Sequence, residues 1–247
     1  MKLFQHLGFF HRHLLIKNVV LACFIGLTMV PVEIFCQERT VVPDTIYGAD
    51  PLLLNGKIYN FFTPPGTSGN PYLNGTDFVD GTLVLRGQVF QNLPLKYDIY
   101  NKVVVLGYRN ELGAQGQLIV SDAFLDAFTL GDMKFIPFTG VDSVSRYDQI
   151  IGDETFGIVY SWYKLIALDT RLGASNHVFY DPKKNAMLIR NQKLYSFKNK
   201  RSFLRLFTSE EREKLKTIIK KHKIKLHRAT DYQMGLFVSE CSKTLAP

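Results

Sequence analysis

Apolar and polar positions alternate repeatedly between residues 81 and 197. Leu83 and Leu85 alternate with Thr82, Val84 and Arg86. Leu93, Leu95, Tyr97 and Ile99 alternate with Pro94, Lys96, Asp98 and Tyr100. A period of two marks a half-buried strand, so this pattern predicts Leu95, Tyr97 and Ile99 in the core and Lys96 and Asp98 in water. Asn101-Lys102 then turns the chain into Val103-Val-Val-Leu106 as a hairpin. Residues 117–120 and 135–138 continue the series, with Pro137 marking a sheet edge or a strand end. Residues 147–151 and the alternating Phe156, Ile158, Tyr160 and Trp162 predict a second hairpin around Gly152-Asp153-Glu154. Residues 177–180 and 186–190 flank the turn residues Asp181-Pro-Lys-Lys-Asn185, and Leu194-Tyr-Ser-Phe197 closes the strand region. Turn signals recur without a long helical pattern between them, which predicts an antiparallel sheet.

The period changes after Lys198. Residues 202–207 suit one or two helical turns. Thr208-Ser-Glu-Glu211 has capping-box spacing, and Leu215, Ile218, Ile219 and His222 follow at helical intervals. Thr230-Asp231 opens a last helix through Phe237, Val238 and Cys241 to about residue 245. The expected fold is therefore α+β: an antiparallel β-meander or incomplete barrel with two or three C-terminal helices. Upstream, residues 37–80 read as irregular. Pro43, Pro51, Pro64-Pro65 and Pro71 oppose helix, and Gly66 and Gly69 permit sharp reversals.

The first 36 residues follow a different rule. Lys2, Arg12 and Lys17 precede an apolar run of 14 residues, 19–32, which ends at Glu33. A spanning helix needs about 20 apolar residues, and a signal-peptide core about 7–15. The expectation is a secretory signal cut between Cys36 and Gln37. The alternatives are an uncleaved anchor and a lipoprotein acylated at Cys36, although Glu33-Ile-Phe35 lacks the small residue that should precede such a cysteine. The expected division is then 1–36 signal, 37–80 irregular segment, 81–198 β domain and 199–247 basic helical extension. After cleavage Cys241 is the one cysteine left, so no internal disulfide forms and the core must supply the stability. With 46% hydrophobic and 21% charged residues, the 247-residue chain can build such a core.

Charge adds a second division. The net charge is +8, yet residues 37–182 carry 10 Lys/Arg against 16 Asp/Glu, and residues 183–228 carry 16 Lys/Arg against three Glu. An acidic body thus bears a basic tail, which points to a polyanionic partner or to a solvated face that complements the body. Arg212, Lys216, Lys220 and Lys223 fall on one helical stripe, and Lys221 and Lys225 extend it. These six are the candidate polyanion-binding residues. Anionic lipid headgroups, lipopolysaccharide and acidic glycans are the candidate partners. Nucleic acid would bind in a tube, but an exported protein seldom meets it.

Catalytic chemistry is thinly represented. His177, His222 and His227 do not make a metal-ligand spacing, and no metal or cofactor site is expected. There is no Gly-x-Ser-x-Gly elbow, no His-Glu-x-x-His and no dinucleotide fingerprint, and the Gly-rich stretch 63–71 lacks the Lys-Ser/Thr of a phosphate loop. Asp122 and Asp126, four apart, could share a helical face. Tyr160, Trp162 and Tyr163 could form an aromatic platform for a sugar or base, or simply pack in the core. No catalytic residue is assigned.

Three stretches carry a resemblance: Leu95-Lys-Tyr-Asp-Ile-Tyr-Asn-Lys-Val-Val-Val105, residues 180–197, and the basic tail from Lys198 to Leu226 with its final helix. They resemble uncharacterised exported proteins of Gram-negative bacteria, in which a β-rich body with a "YDIY"-like hairpin precedes a Lys-rich helical tail. The likeness covers most of residues 70–245 and departs at Tyr232-Gln-Met-Gly-Leu236, which replaces a more regular apolar pattern. It implies a periplasmic or envelope location and brings no activity. The functional expectation is a non-enzymatic envelope protein that binds or scaffolds. The alternatives are a hydrophobic-ligand carrier within a curled sheet and a hydrolase of a cell-wall polymer.

Overall fold

The computed structural model describes residues 50–110, 112–139, 145–169 and 176–245. The expected signal segment and its cleavage region lie outside the described residues. Within them the alternating stretches form thirteen strands. These are β1 (Gly56–Ile58), β2 (Val79–Leu85), β3 (Gln88–Asp98), β4 (Val103–Arg109), β5 (Gln115–Val120), β6 (Leu125–Leu130), β7 (Met133–Thr139), β8 (Ser145–Gly152), β9 (Phe156–Tyr163), β10 (Ile166–Asp169), β11 (Asn176–Phe179), β12 (Lys183–Arg190) and β13 (Lys193–Ser196). Three helices follow: α1 (Lys200–Leu204), α2 (Ser209–Lys221) and α3 (Asp231–Leu245). The α+β class, with an antiparallel sheet and C-terminal helices, is what the pattern predicted.

Eleven of the described strands form one sheet in the order β1-β5-β4-β3-β2-β6-β7-β8-β9-β12-β13. Every pairing is antiparallel, and β1 and β13 each have one neighbour, so the sheet is open. It cannot be flat. Four inter-strand steps separate β5 from β6, about 19 Å in a flat sheet. The chain crosses from Val120 to Leu125 in five residues, which reach about 17 Å. The sheet therefore curls, and Leu118 and Val120 of β5 share a buried cluster with Leu125 and Phe128 of β6. The Tyr97 hydroxyl on β3 donates to the Tyr147 carbonyl on β8 at 2.8 Å across this curl. Pro137 lies beyond Phe135, where the β6–β7 ladder ends and β7 is paired with β8 alone, so its missing N–H costs no ladder bond on the free side.

Three sequence expectations need correction here. Lys96 and Asp98 are buried, at 8% and 0% exposure. The irregular segment reaches β3 in two ways: residues 71–73 pair with its edge, the Leu73 N–H donating to the Tyr97 carbonyl and the Ile99 N–H to the Pro71 carbonyl, and Tyr59, Tyr72 and Phe78 lie against its outward side chains. Lys96 Nζ lies 4.0 Å from the Phe78 ring centroid and 5.0 Å from that of Tyr72. Asp98 accepts from the Tyr59 hydroxyl at 2.9 Å, from the backbone N–H groups of Tyr100 and Asn101 at 3.0 and 2.8 Å, and from Asn101 Nδ2 at 2.7 Å. Alternation identifies the inward face but cannot tell whether another segment covers the outward one. The second correction concerns Asp122 and Asp126, which share no helical face. Asp126 is on β6 and accepts the Gly87 N–H at 2.7 Å, while Asp122 precedes that strand. Residues 177–180 also differ: β11 pairs with β10 in a separate two-stranded sheet, and Lys183, Lys184 and Asn185 already belong to β12.

The helices cover the far end of the same sheet face. Phe156, Ile158 and Tyr160 of β9 and Leu188 of β12 pack with Phe203, Leu215, Ile218, Ile219, Met234 and Phe237. Each helix opens with a reciprocal cap: Asn199 with Ser202, Thr208 with Glu211, and Thr230 with Gln233. These satisfy backbone N–H groups that a helix start leaves without partners. Cys241 is fully buried on α3, and burial pushes its thiol up to about 12, so it packs as a small apolar residue. Trp162 touches both the curled-sheet cluster and the helix-covered cluster.

Candidate functional site

The six candidate cations do not behave alike. Arg212 is half-buried and turned back on its own fold: Nε donates to the Leu204 carbonyl at 3.1 Å and Nη2 to the Phe207 carbonyl at 3.2 Å. It closes the end of α1. Lys216 pairs with Glu213 at 2.7 Å, and Lys221 with Glu240 at 2.7 Å. His222 also meets Glu240, and the Lys221 and His222 contacts hold that carboxyl below its usual range. Lys220, Lys223 and Lys225 remain exposed at the end of α2 and just beyond, with no ion pair among the described residues. Helical spacing placed the stripe, but the i, i+3 partner Glu213 and the carboxylate from α3 decide which charges are left over.

Beside this surface lies a cleft of about 580 Å³, bounded by β9, β12, the end of β13 and the segment after α2. Lys184, Lys198 and His227 line it together with Tyr160, Phe197 and Leu226. Lys184 is placed by strand parity: residues 184, 186 and 188 of β12 point to the helix-covered face, opposite Trp162, Tyr160 and Ile158 of β9. Its ammonium sits 3.6 Å from the Tyr160 ring centroid, 4.8 Å from that of Trp162, and 3.7 Å from Asp231 Oδ1. Burial lowers the Lys184 pKa, and Asp231 offsets this in part. Asp231 is itself held by Gln149 Nε2 at 2.6 Å, and Gln149 Oε1 accepts the Trp162 indole N–H at 2.8 Å. The predicted aromatic platform is thus not free, because a lysine covers Tyr160 and Trp162, and Tyr163 alternates onto the other face. The Tyr160 hydroxyl is buried without a hydrogen-bond partner, and burial raises its pKa.

Comparison with protein-family models, with curated proteins and with solved structures gives no match. The chemistry of the surface must therefore be read from its own residues. No group of three or more His, Cys, Asp or Glu side chains that could hold a metal ion occurs among the described residues. Of the three histidines outside the expected signal, His177 lies in β11, His222 caps α2 and His227 borders the cleft. Sequence reading missed the cleft. Its one available signal was Lys184, a lysine at an inward position of a strand, which becomes visible once Ala186 and Leu188 define that face.

Proposed function

We propose that this chain is an exported, non-enzymatic protein of the cell envelope whose basic C-terminal part holds a polyanion. The observation that carries the proposal is the set of exposed, unpaired lysines 220, 223 and 225 within a segment of 16 Lys/Arg and three Glu. Compensating carboxylates are spent on Lys216 and Lys221 and do not reach these three. An unpaired cationic patch attracts anions of many shapes, with a range set by the Debye length, about 8 Å at physiological salt. The signal-like segment 1–36 directs this reading to envelope polyanions, namely anionic lipid headgroups, lipopolysaccharide or acidic glycans.

The other readings have less support. A hydrophobic-ligand carrier needs space inside the curl, and there Tyr97, Phe128 and Phe135 stand in ring contact at centroid separations of 4.6–5.3 Å. A hydrolase needs carboxylates facing a cleft, and the lining of the 580 Å³ cleft includes none among the described residues. The test is cosedimentation with polygalacturonate, lipopolysaccharide and phosphatidylglycerol vesicles across a salt series. The expected result is binding at low salt that fades steeply toward physiological salt. Lys220→Glu/Lys223→Glu/Lys225→Glu should lose most of it with an unchanged circular dichroism spectrum, whereas Lys216→Ala should lose little. A wild-type chain that ignores all three polyanions at low salt would overturn the proposal.

A further inference from the structure

We infer that the cleft beside β12 seats one acidic sugar unit, a uronate or a phosphorylated hexose. The inference rests on the polyanion reading and names the part of the polymer that is recognised. The volume of about 580 Å³ lies within the ~300–1,000 Å³ typical of small-ligand pockets. Its exposed charge is cationic, since Lys198 lies in the lining without a carboxylate beside it there among the described residues, while Lys184 is paired with Asp231 at its edge. Its chemistry is also divided in the way a sugar ring is. Phe197 and Leu226 offer apolar surface to the C–H face of a pyranose, while Lys198 and the Nδ2 group of Asn199, whose Oδ1 is engaged in the α1 cap, supply partners for ring hydroxyls. A lipid tail would leave those polar groups unpaired, and inorganic phosphate would leave the apolar surface uncovered.

Two further observations point the same way. Tyr160 lines the cleft and carries a buried hydroxyl that lacks a partner. A buried polar group without a partner is unfavourable, and a ligand hydroxyl or acid reaching it with local side-chain adjustment would relieve that cost. Lys184 is held in a partly buried position over Tyr160, 3.7 Å from Asp231, and that pairing offsets its desolvation only in part. An anion entering the cleft near this ammonium would favour its charged form further.

Trp162 is the one tryptophan of the chain and lies 4.8 Å from Lys184 Nζ, so its fluorescence reports on the cleft. The experiment titrates the full mature chain with digalacturonate and with glucose 6-phosphate near physiological salt, with maltose and inorganic phosphate as comparison probes. A saturable change is expected with the acidic sugars, and affinity for maltose and for phosphate should be weaker by about tenfold or more, the worth of one charge-assisted contact. Lys198→Glu, at an exposed position, should weaken acidic-sugar binding by about tenfold or more. Lys220→Glu/Lys223→Glu/Lys225→Glu should leave it unchanged. Calorimetry repeats the comparison without relying on the indole. A flat titration, equal binding of phosphate or maltose, or an unaffected Lys198→Glu variant would each overturn the inference. If polygalacturonate still cosediments while the cleft titration is flat, the cleft assignment alone fails; loss of both removes the broader reading as well.

Discussion

Asp98 concentrates four hydrogen bonds at one fully buried carboxylate, two from the turn that follows β3, one from Asn101 Nδ2 and one from Tyr59 in the covering segment. Removing it takes away four hydrogen bonds to a charged acceptor, although their donors on Tyr59, Tyr100 and Asn101 are partly or fully exposed and can turn to water. Asp98→Ala is expected to cost about 2 kcal/mol, within the roughly 1.5–3 kcal/mol of a hydrogen bond to a charged group. Lys96→Met keeps the stem over Phe78 and should cost about 1 kcal/mol. Lys96→Asp, which buries a second carboxylate near the first, should cost several kcal/mol. Urea midpoints decide this, and an Asp98→Ala loss below about 0.5 kcal/mol would show that the segment does not rest on that side chain. Tyr160 predicts the opposite behaviour. Its hydroxyl has no partner, so Tyr160→Phe should be neutral or mildly stabilising in the ligand-free protein.

Helix α2 is fixed at its start by two uses of one carboxylate. Glu211 accepts the Thr208 N–H at 2.9 Å to complete the cap, and it pairs with Arg190 of β12 at 2.5 Å. The Arg190 hydrogen bond is the main reason its pKa is lowered. A carboxyl with a depressed folded pKa contributes stability above its unfolded pKa and loses it as the pH falls through the folded value. The wild type should therefore lose stability across the acid range below about pH 4.5, where free Glu titrates. Glu211→Gln should start less stable at pH 7 and show a shallower loss over that range in acid denaturation melts. Equal slopes would remove the Arg190–Glu211 pair as a determinant. Thr208→Ala should cost about 1 kcal/mol, the usual worth of a cap side chain.

At the scale of the molecule, the basic tail is half of a core as well as a charged surface. Phe203, Leu215, Ile218 and Phe237 cover Phe156, Ile158, Tyr160 and Leu188, so the sheet end cannot face water without them. Deleting residues 199–247 should yield an aggregating, poorly expressed chain. With the tail present, Trp162 fluorescence and far-ultraviolet dichroism should report one coincident unfolding transition, because Trp162 packs against both clusters. Two separated transitions would show that the curled sheet and the helix-covered end fold independently. Processing is tested apart from stability: intact mass of the exported fraction should place the mature start at Gln37, and a full-length or acylated species would reject the cleavage site.

The strand-rich middle, the inward faces of Leu83, Leu95, Tyr97 and Ile158, and the capped helices from Thr208 and Thr230 follow from the sequence alone. Strand and helix periods, turn residues and caps are local properties, and a local reading recovers them. What the tertiary structure decided is long-range. The pairing of β2 with β6, the curl it forces and the departure of β11 from β12 depend on partners dozens of residues away. So does the burial of Lys96 and Asp98, since the segment that covers them begins near Tyr59 and carries no periodic signal. The same holds for the candidate site. Composition located the basic tail, but Glu240 on α3 and the carbonyls after α1 determine which cations are already engaged. The cleft exists only because β9, β12 and the segment after α2 are brought side by side. Charge and period belong to the chain, whereas compensation and concavity belong to the fold, because both arise from groups that the sequence keeps far apart.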